Sequence, residues 1–225
     1  MIIGIIPARG GSKAIPNKNI ININEKPLIN WTILQMLNSS KIDSVYVTSD
    51  CDEILSVAQT SGAKTIKRPK SISGDEASSE SAWLHALDVI CEDGFEPEVL
   101  VLAQATSPVR SSKDFDKAIE SFFVKKLDSL FSCNIFDDFN YWEKSEGEFT
   151  SINYDYTDRK RRQEIRKKYH ENGSFYLTKP KILRTLNNRL GGKIGVHAMP
   201  NHTMFQIDEE RDLDLISVLI RAYND

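Results

Sequence analysis

From residue 2 to residue 102 the chain alternates short apolar runs with amphipathic stretches, and this alternation restricts it to few architectures. Ile2–Pro7 is continuously apolar, as a strand buried on both faces requires. Ser44–Asp50, Lys64–Lys67 and Val99–Leu102 read as further strands. Between them the pattern predicts helices from Pro27 (apolar Leu28, Trp31, Ile33, Leu34), over Asp52–Ser61, and over Ser79–Glu92 (Ala82, Leu84, Leu87, Val89, Ile90). Strands separated by helices pair in parallel, so the expected fold class is α/β with a doubly wound, mostly parallel sheet. The second half predicts a helix over Ser111–Lys126, strands over Ser129–Phe136, Gly173–Thr178 and Lys193–Met199, and a closing helix over Arg211–Ala222. Asp137–Tyr156, mixed in aromatics, acids and turn residues, reads as a hairpin leaving the main body. With 225 residues the chain is expected to form a single domain over 1–225.

In such sheets ligands sit outside the carboxyl ends of the strands. Pro7-Ala8-Arg9, Thr48-Ser49-Asp50 and Gln104-Ala105-Thr106-Ser107 all fall there. The loop Arg9-Gly10-Gly11-Ser12-Lys13 comes straight off the first strand. Its glycines let backbone N–H groups approach a ligand, and Arg9, Lys13 and Lys18 add fixed positive charge. Backbone donors, a hydroxyl and several cations suit a triphosphate. The loop is neither a Walker A sequence nor a Gly-x-Gly-x-x-Gly fingerprint. The net charge of −3 argues against a chain that coats nucleic acid, yet a local basic pocket can outvote it. Three scattered cysteines read as free thiols in a reducing compartment, and no stretch approaches the ~20 apolar residues of a membrane span. Met1–Ile6 reads as a strand rather than a signal peptide, so a cytoplasmic protein is expected.

Ile-Pro-Ala-Arg-Gly-Gly-Ser-Lys-x-Ile-Pro-x-Lys-Asn, ending at Asn19, resembles the signature of the acylneuraminate cytidylyltransferases, or CMP-sialic acid synthetases. Arg68-Pro69, Ala77–Ser81, Gln104–Arg110, Arg161-Arg162-Gln163, Glu171–Tyr176 and Ile207-Asp208-Glu209 recur in family order, so the resemblance spans nearly the whole chain. It implies a Rossmann-like nucleotidyltransferase that moves CMP from CTP to the anomeric hydroxyl of a nine-carbon acidic α-keto sugar and releases pyrophosphate. By resemblance, Arg9 and Lys18 hold and neutralise the CTP phosphates and carry the catalysis, with Ala8, Gly10, Gly11, Ser12 and Lys13 around them. Asn19 and Arg68 lie near the nucleotide, Arg68 reaching the cytosine. Ser79 and Gln104 face the sugar or bridge it to the nucleotide. Arg162, Gln163, Asn172 and Tyr176 close over the sugar, an Arg fork matching its carboxylate. Residues 137–170 are implied to extend toward a partner subunit of a homodimer.

The family ends its site with Asp-x-Asp, which binds Mg²⁺, whereas this chain reads Gln206-Ile207-Asp208. Three readings follow: Mg²⁺ held by Asp208, with Gln206 beside it and phosphates and water as further ligands; Glu209 or Glu210 substituting; or a weak relative. Ala105 stands where many relatives carry Pro. Two alternatives stay open: the same reaction on an eight-carbon octulosonate, and a non-catalytic nucleotide- or sugar-binding relative.

Overall fold

The apolar run at the N-terminus forms β1 (Ile2–Pro7), whose Ile3, Ile5 and Ile6 are fully buried. A computed structural model describes residues 1–136 and 140–223, and the side chain of Arg162 lies outside the described part. After β1 a loop leads to the small ribbon β2 (Asn22–Ile23) and β3 (Lys26–Pro27), then α1 (Leu28–Leu37). The alternation continues through β4 (Ser44–Ser49), α2 (Asp52–Thr60), β5 (Lys64–Lys67), α3 (Ser79–Glu92), β6 (Val99–Ala103), α4 (Ser112–Val124) and β7 (Ser129–Phe136). A hairpin, β8 (Trp142–Ser145) and β9 (Glu148–Ser151), precedes β10 (Lys168–Thr178), α5 (Pro180–Leu186), β11 (Ile194–Met199) and α6 (Glu210–Tyr223).

The main sheet has seven strands in the order β11-β7-β10-β6-β1-β4-β5. β1 pairs in parallel with both β4 and β6, and β10 runs antiparallel between β6 and β7. The expected doubly wound, mostly parallel sheet is therefore present. From β1 the chain winds outward through β4 and β5, then returns to place β6 on the other side of β1. That reversal opens a crevice at the carboxyl ends of β1 and β6.

Ile6, Val45, Val47, Val101 and Phe175 bury one face of the sheet against α1 and α4. Ile3, Ile5, Tyr46, Leu100, Leu102 and Tyr176 bury the other against α3. A third cluster joins Ile15 and Ile23, in and just after the glycine-rich loop, to Ile216 and Ile220 of α6. It ties the loop to the far end of the chain.

Several helix faces differ from the sequence reading. α1 buries Leu28, Ile29, Thr32, Ile33 and Met36, while Trp31 and Leu34 are only partly covered. α3 buries Trp83 and Ala86 rather than Leu84 and Val89. Asp52 is the first helical residue of α2 and Cys51 is its N-cap. The hairpin turns through Glu146 and Gly147, both at positive φ, as a two-residue turn matching strand twist requires. Its strands pair only with each other, so it does leave the main sheet. All three cysteines are free; Cys133 is buried, which raises its thiol pKa to about 11, and Cys91 is exposed. Among the described residues no helix is long and apolar enough to cross a membrane.

Candidate functional site

A cavity of about 330 Å³ lies in the crevice beside β1 and β6. Arg9, Ser12, Lys18, Asn19, Arg68, Ser79 and Gln104, all singled out in the sequence, line it. Ser78 and Thr106, within segments already marked by motif and rim position, line it too, as do Ser73 and Asp75, which the sequence leaves in a polar loop. Ala8, Gly10, Gly11 and Lys13 belong to the same loop.

The loop is fixed from below. The Ala8 N–H donates to the Thr48 carbonyl at 3.0 Å, and the Gly10 N–H to Asp50 Oδ1 at 3.0 Å. A Cβ at position 10 would stand 2.8 Å from the Cys51 Cβ, so only glycine lets the loop descend this far. Asn19 donates to the Arg9 carbonyl at 3.0 Å and closes the loop on itself. Lys18, 16 % exposed, donates to the Ile207 carbonyl at 3.0 Å. Arg68 is 6 % exposed; its Nε donates to Ser73 Oγ at 3.0 Å, and Asp50 lies 3.9 Å from its Nη2. Desolvation holds its pKa below the usual guanidinium value, Asp50 opposes that, and Arg9 adds to it.

Two cations of the loop already share an anion. Asp75 Oδ1 lies 2.8 Å from Arg9 Nη1 and Asp75 Oδ2 lies 2.7 Å from Lys13 Nζ. The Lys13 hydrogen bond, then the charges of Lys13 and Arg9, hold the Asp75 carboxyl below the usual carboxylate range. An anionic ligand entering the cavity must compete with this carboxylate. Asp75→Asn is therefore expected to tighten inorganic pyrophosphate several-fold in titration calorimetry. Weaker binding would show instead that the carboxylate helps to hold the anion. No periodicity marks Asp75 in the sequence, because it sits in a loop.

The expected sugar-side residues divide. Gln104 lines the cavity, and its N–H donates to the Ser174 carbonyl at 3.2 Å. Tyr176 is 3 % exposed in the core under α3, and its hydroxyl donates to Glu171 Oε1 at 2.5 Å. The Asn172 side chain, expected to close over the sugar, is turned inward. Its Oδ1 accepts from Ser132 Oγ at 2.6 Å and from the Ser174 N–H at 3.1 Å. This amide organises the bulge in β10 between Glu171 and Tyr176. Gln163 is exposed in a short 3-10 turn, 162–164, and is not among the residues that line the cavity. The side chain of Arg162 lies outside the described residues.

The family model described as "Cytidylyltransferase" matches residues 3–219. The chain belongs to the cytidylyltransferase family. It is 32% identical over 224 residues to a pseudaminic acid cytidylyltransferase of Campylobacter jejuni, covering 97% of this chain and 95% of that one. It is 36% identical over 220 residues to an N-acylneuraminate cytidylyltransferase of Oncorhynchus mykiss, covering 95% of this chain and 48% of that longer protein. In three dimensions it matches CMP:2-keto-3-deoxy-manno-octonic acid synthetase complexed with CTP at a TM-score of 0.72 and 16% identity, over 98% of both chains. That likeness is one of fold.

In this cytidylyltransferase the Gln206-Ile207-Asp208 segment lies beside the β10 bulge. Gln206 Nε2 donates to the Asn172 carbonyl at 2.6 Å. Gly173, at φ +66°, sits beneath it, and a Cβ there would stand 2.6 Å from Nε2. Position 206 thus works as a donor, a bond that an aspartate could not make. Asp208 is 75 % exposed and lies 4.0 Å from Lys18 Nζ. Among the described residues no three His, Cys, Asp or Glu side chains gather into a metal-holding group. The donor set for a hard cation is thus the exposed Asp208 carboxylate, at the edge of reach of Lys18, plus the Gln206 carbonyl oxygen. That fits an ion which takes its remaining ligands from phosphate and water. Gln206→Glu keeps the length but turns an acceptor on the Asn172 carbonyl. It should lower unfolding free energy by about 1–3 kcal/mol in urea titrations. An unchanged midpoint would mean that the amide does not fix the bulge.

Proposed function

We propose that the protein transfers CMP from CTP to the anomeric hydroxyl of a nine-carbon acidic α-keto sugar and releases pyrophosphate. The observation that carries this reading is the cavity at the β1/β6 crevice, where Arg9, Lys18 and Arg68 converge within a cytidylyltransferase fold. The full-length relative named for pseudaminic acid and the one named for N-acylneuraminate support the acceptor class.

The sugar hydroxyl oxygen forms a bond to the α-phosphorus and its proton passes to water, while the bond from the α-phosphorus to the oxygen bridging the β-phosphorus breaks and that oxygen leaves with pyrophosphate. Negative charge grows on the α-phosphoryl oxygens and on the leaving pyrophosphate. Arg9 and Lys18 line the cavity as cations around that charge, and Lys13 adds a further positive charge from the same loop. Arg68, held by Ser73, offers donors to the acceptor atoms of a pyrimidine edge. Ser79 and Gln104 border the side from which the sugar approaches. Mg²⁺ would be held by Asp208 with the Gln206 oxygen, phosphates and water, and would neutralise phosphate charge.

The reading also includes a homodimer in the cytoplasm. The exposed aromatics of the hairpin region, Trp142, Phe149 and Tyr156, support a second copy packing there.

The deciding measurement is pyrophosphate release from CTP, with and without Mg²⁺, over a panel of sialic, legionaminic, pseudaminic and octulosonic acids. Release with a nine-carbon acid is expected. Release with octulosonic acid alone would move the acceptor to eight carbons. CTP binding without release would make the chain a binder.

A further inference from the structure

Next to the cavity wall stands a charged cluster that the phosphate chemistry does not use. Leu102 of β6 packs on the α3 side of the sheet with Tyr176 of β10 opposite it, and Gln104 follows just past the end of the strand. Ser79, the first residue of α3, lines the cavity, and Glu80 follows it. Arg189, from the loop after α5, donates through Nε to Glu80 Oε1 at 2.7 Å, and the two side chains are only 20 % and 14 % exposed. The guanidinium lies 4.6 Å from the Trp83 ring and 4.7 Å from the Tyr176 ring. The Tyr176 hydroxyl meanwhile donates to Glu171. An apolar side chain would fill the space between two aromatic rings without desolvating a charge. The layer behind Ser79 instead carries two carboxylates, Glu80 neutralised by a guanidinium and Glu171 accepting from a phenol.

We propose that Arg189 is a specificity-determining residue of the acceptor site: as counter-ion to Glu80 it keeps the wall beside Ser79 and Gln104 neutral toward an anionic sugar. The inference rests on the acidic-acceptor reading above. Without Arg189, Glu80 becomes an uncompensated, mostly buried carboxylate one residue from the cavity-lining Ser79, a charge that disfavours an anion bound beside it. The nucleotide, held across the cavity by Arg9, Lys18 and Arg68, gains nothing from the pair. Burial first, then the Glu171 hydrogen bond, raises the Tyr176 pKa, so the phenol keeps its proton and its cap through neutral pH.

The test is a double-mutant cycle of Arg189→Gln, Glu80→Gln and the combined variant. Pyrophosphate release is followed with CTP and with the panel acid the unaltered chain uses best. Arg189→Gln should raise the acceptor KM about tenfold or more while leaving the CTP KM within about twofold. Adding Glu80→Gln should return the acceptor KM to within about threefold of the unaltered chain, because the repelling charge is gone. Glu80→Gln alone should lower the acceptor KM, and this arm stands even if Arg189→Gln does not fold. Arg189→Lys, which keeps the charge, should lie near the unaltered chain. A purely structural pair would give a combined variant no better than Arg189→Gln, with both KM values moving together, and that result overturns the proposal. No transfer to any acidic sugar by the unaltered chain would sink the functional reading itself. Transfer without coupling in the cycle would sink only the role of Arg189.

Discussion

Lys18→Ala is expected to lower kcat for pyrophosphate release by about 10²–10³-fold, the loss typical of removing one preorganised stabiliser of transition-state charge. Lys18 is held for that task before any ligand arrives. Its Nζ donates to the Ile207 carbonyl at 3.0 Å, its side chain is 16 % exposed, and it lines the cavity. A lysine so placed contributes its charge without reorganising as the reaction proceeds. The acceptor KM should change much less than kcat, because the charge that Lys18 meets grows only in the transition state. The Ile207 carbonyl loses a partner in this variant, so thermal unfolding must be recorded beside the kinetics. A chain that melts normally and turns over at the original rate would remove Lys18 from the chemistry.

The centre of the fold was readable in the sequence because β1, β4 and β6 are buried almost end to end. Runs such as Ile2–Pro7 and Val99–Leu102 leave little choice, and the structure extends the latter by one residue. Helix faces were less readable. In α3 both Trp83 and Leu84 are apolar, and periodicity cannot decide which meets the sheet; the sheet takes Trp83, and Leu84 packs at its margin. α5 was missed because its seven residues span too few turns for a period to show. β10 runs longer than expected because Lys168–Glu171 are polar residues paired along β7, where backbone bonds rather than apolar contacts hold them. In the site, the glycine-rich loop announced itself through composition. The residues that the structure adds are single polar side chains whose role comes from long-range partners: Asp75 across from Arg9, Arg189 across from Glu80, and Arg110 behind Gln104. No local pattern carries such pairings. Asn172 shows the converse: its motif gives no sign that its amide oxygen is used within the bulge, accepting from Ser132 and Ser174.

Arg110 gives the largest expected loss of stability. It is 3 % exposed and has no carboxylate within salt-bridge distance among the described residues. Desolvation lowers its pKa to about 9, against a weaker opposing pull from Asp114, so it is still charged at neutral pH. Its fork joins segments distant in sequence. Nη1 donates to the Ser107 carbonyl, to the Ser174 carbonyl at 3.2 Å and to Ser174 Oγ at 3.0 Å. Nη2 donates to Thr32 Oγ1 at 2.6 Å and to the Gln104 carbonyl at 3.2 Å. One cation thus fastens α1 and the Gln104–Ser107 turn to the start of the β10 strand that pairs with β6. Arg110→Met sets two effects against each other. It removes a buried charge, which favours the fold, and it strips donors from several buried acceptors, which does not. The Gln104 and Ser174 carbonyls keep other donors, Thr32 Oγ1 and the Gln104 N–H. The Ser107 carbonyl and Ser174 Oγ lose theirs, and the segments lose their common tie. At about 1–3 kcal/mol for each orphaned group, the net loss should be about 2–4 kcal/mol in urea unfolding. Because Gln104 sits on the released turn, the acceptor KM should rise more than the CTP KM in whatever fraction stays folded. A variant as stable as the unaltered chain would mean that relief of the buried charge outweighs the lost bonds. Arg110 would then be an electrostatic burden on the fold rather than its clamp.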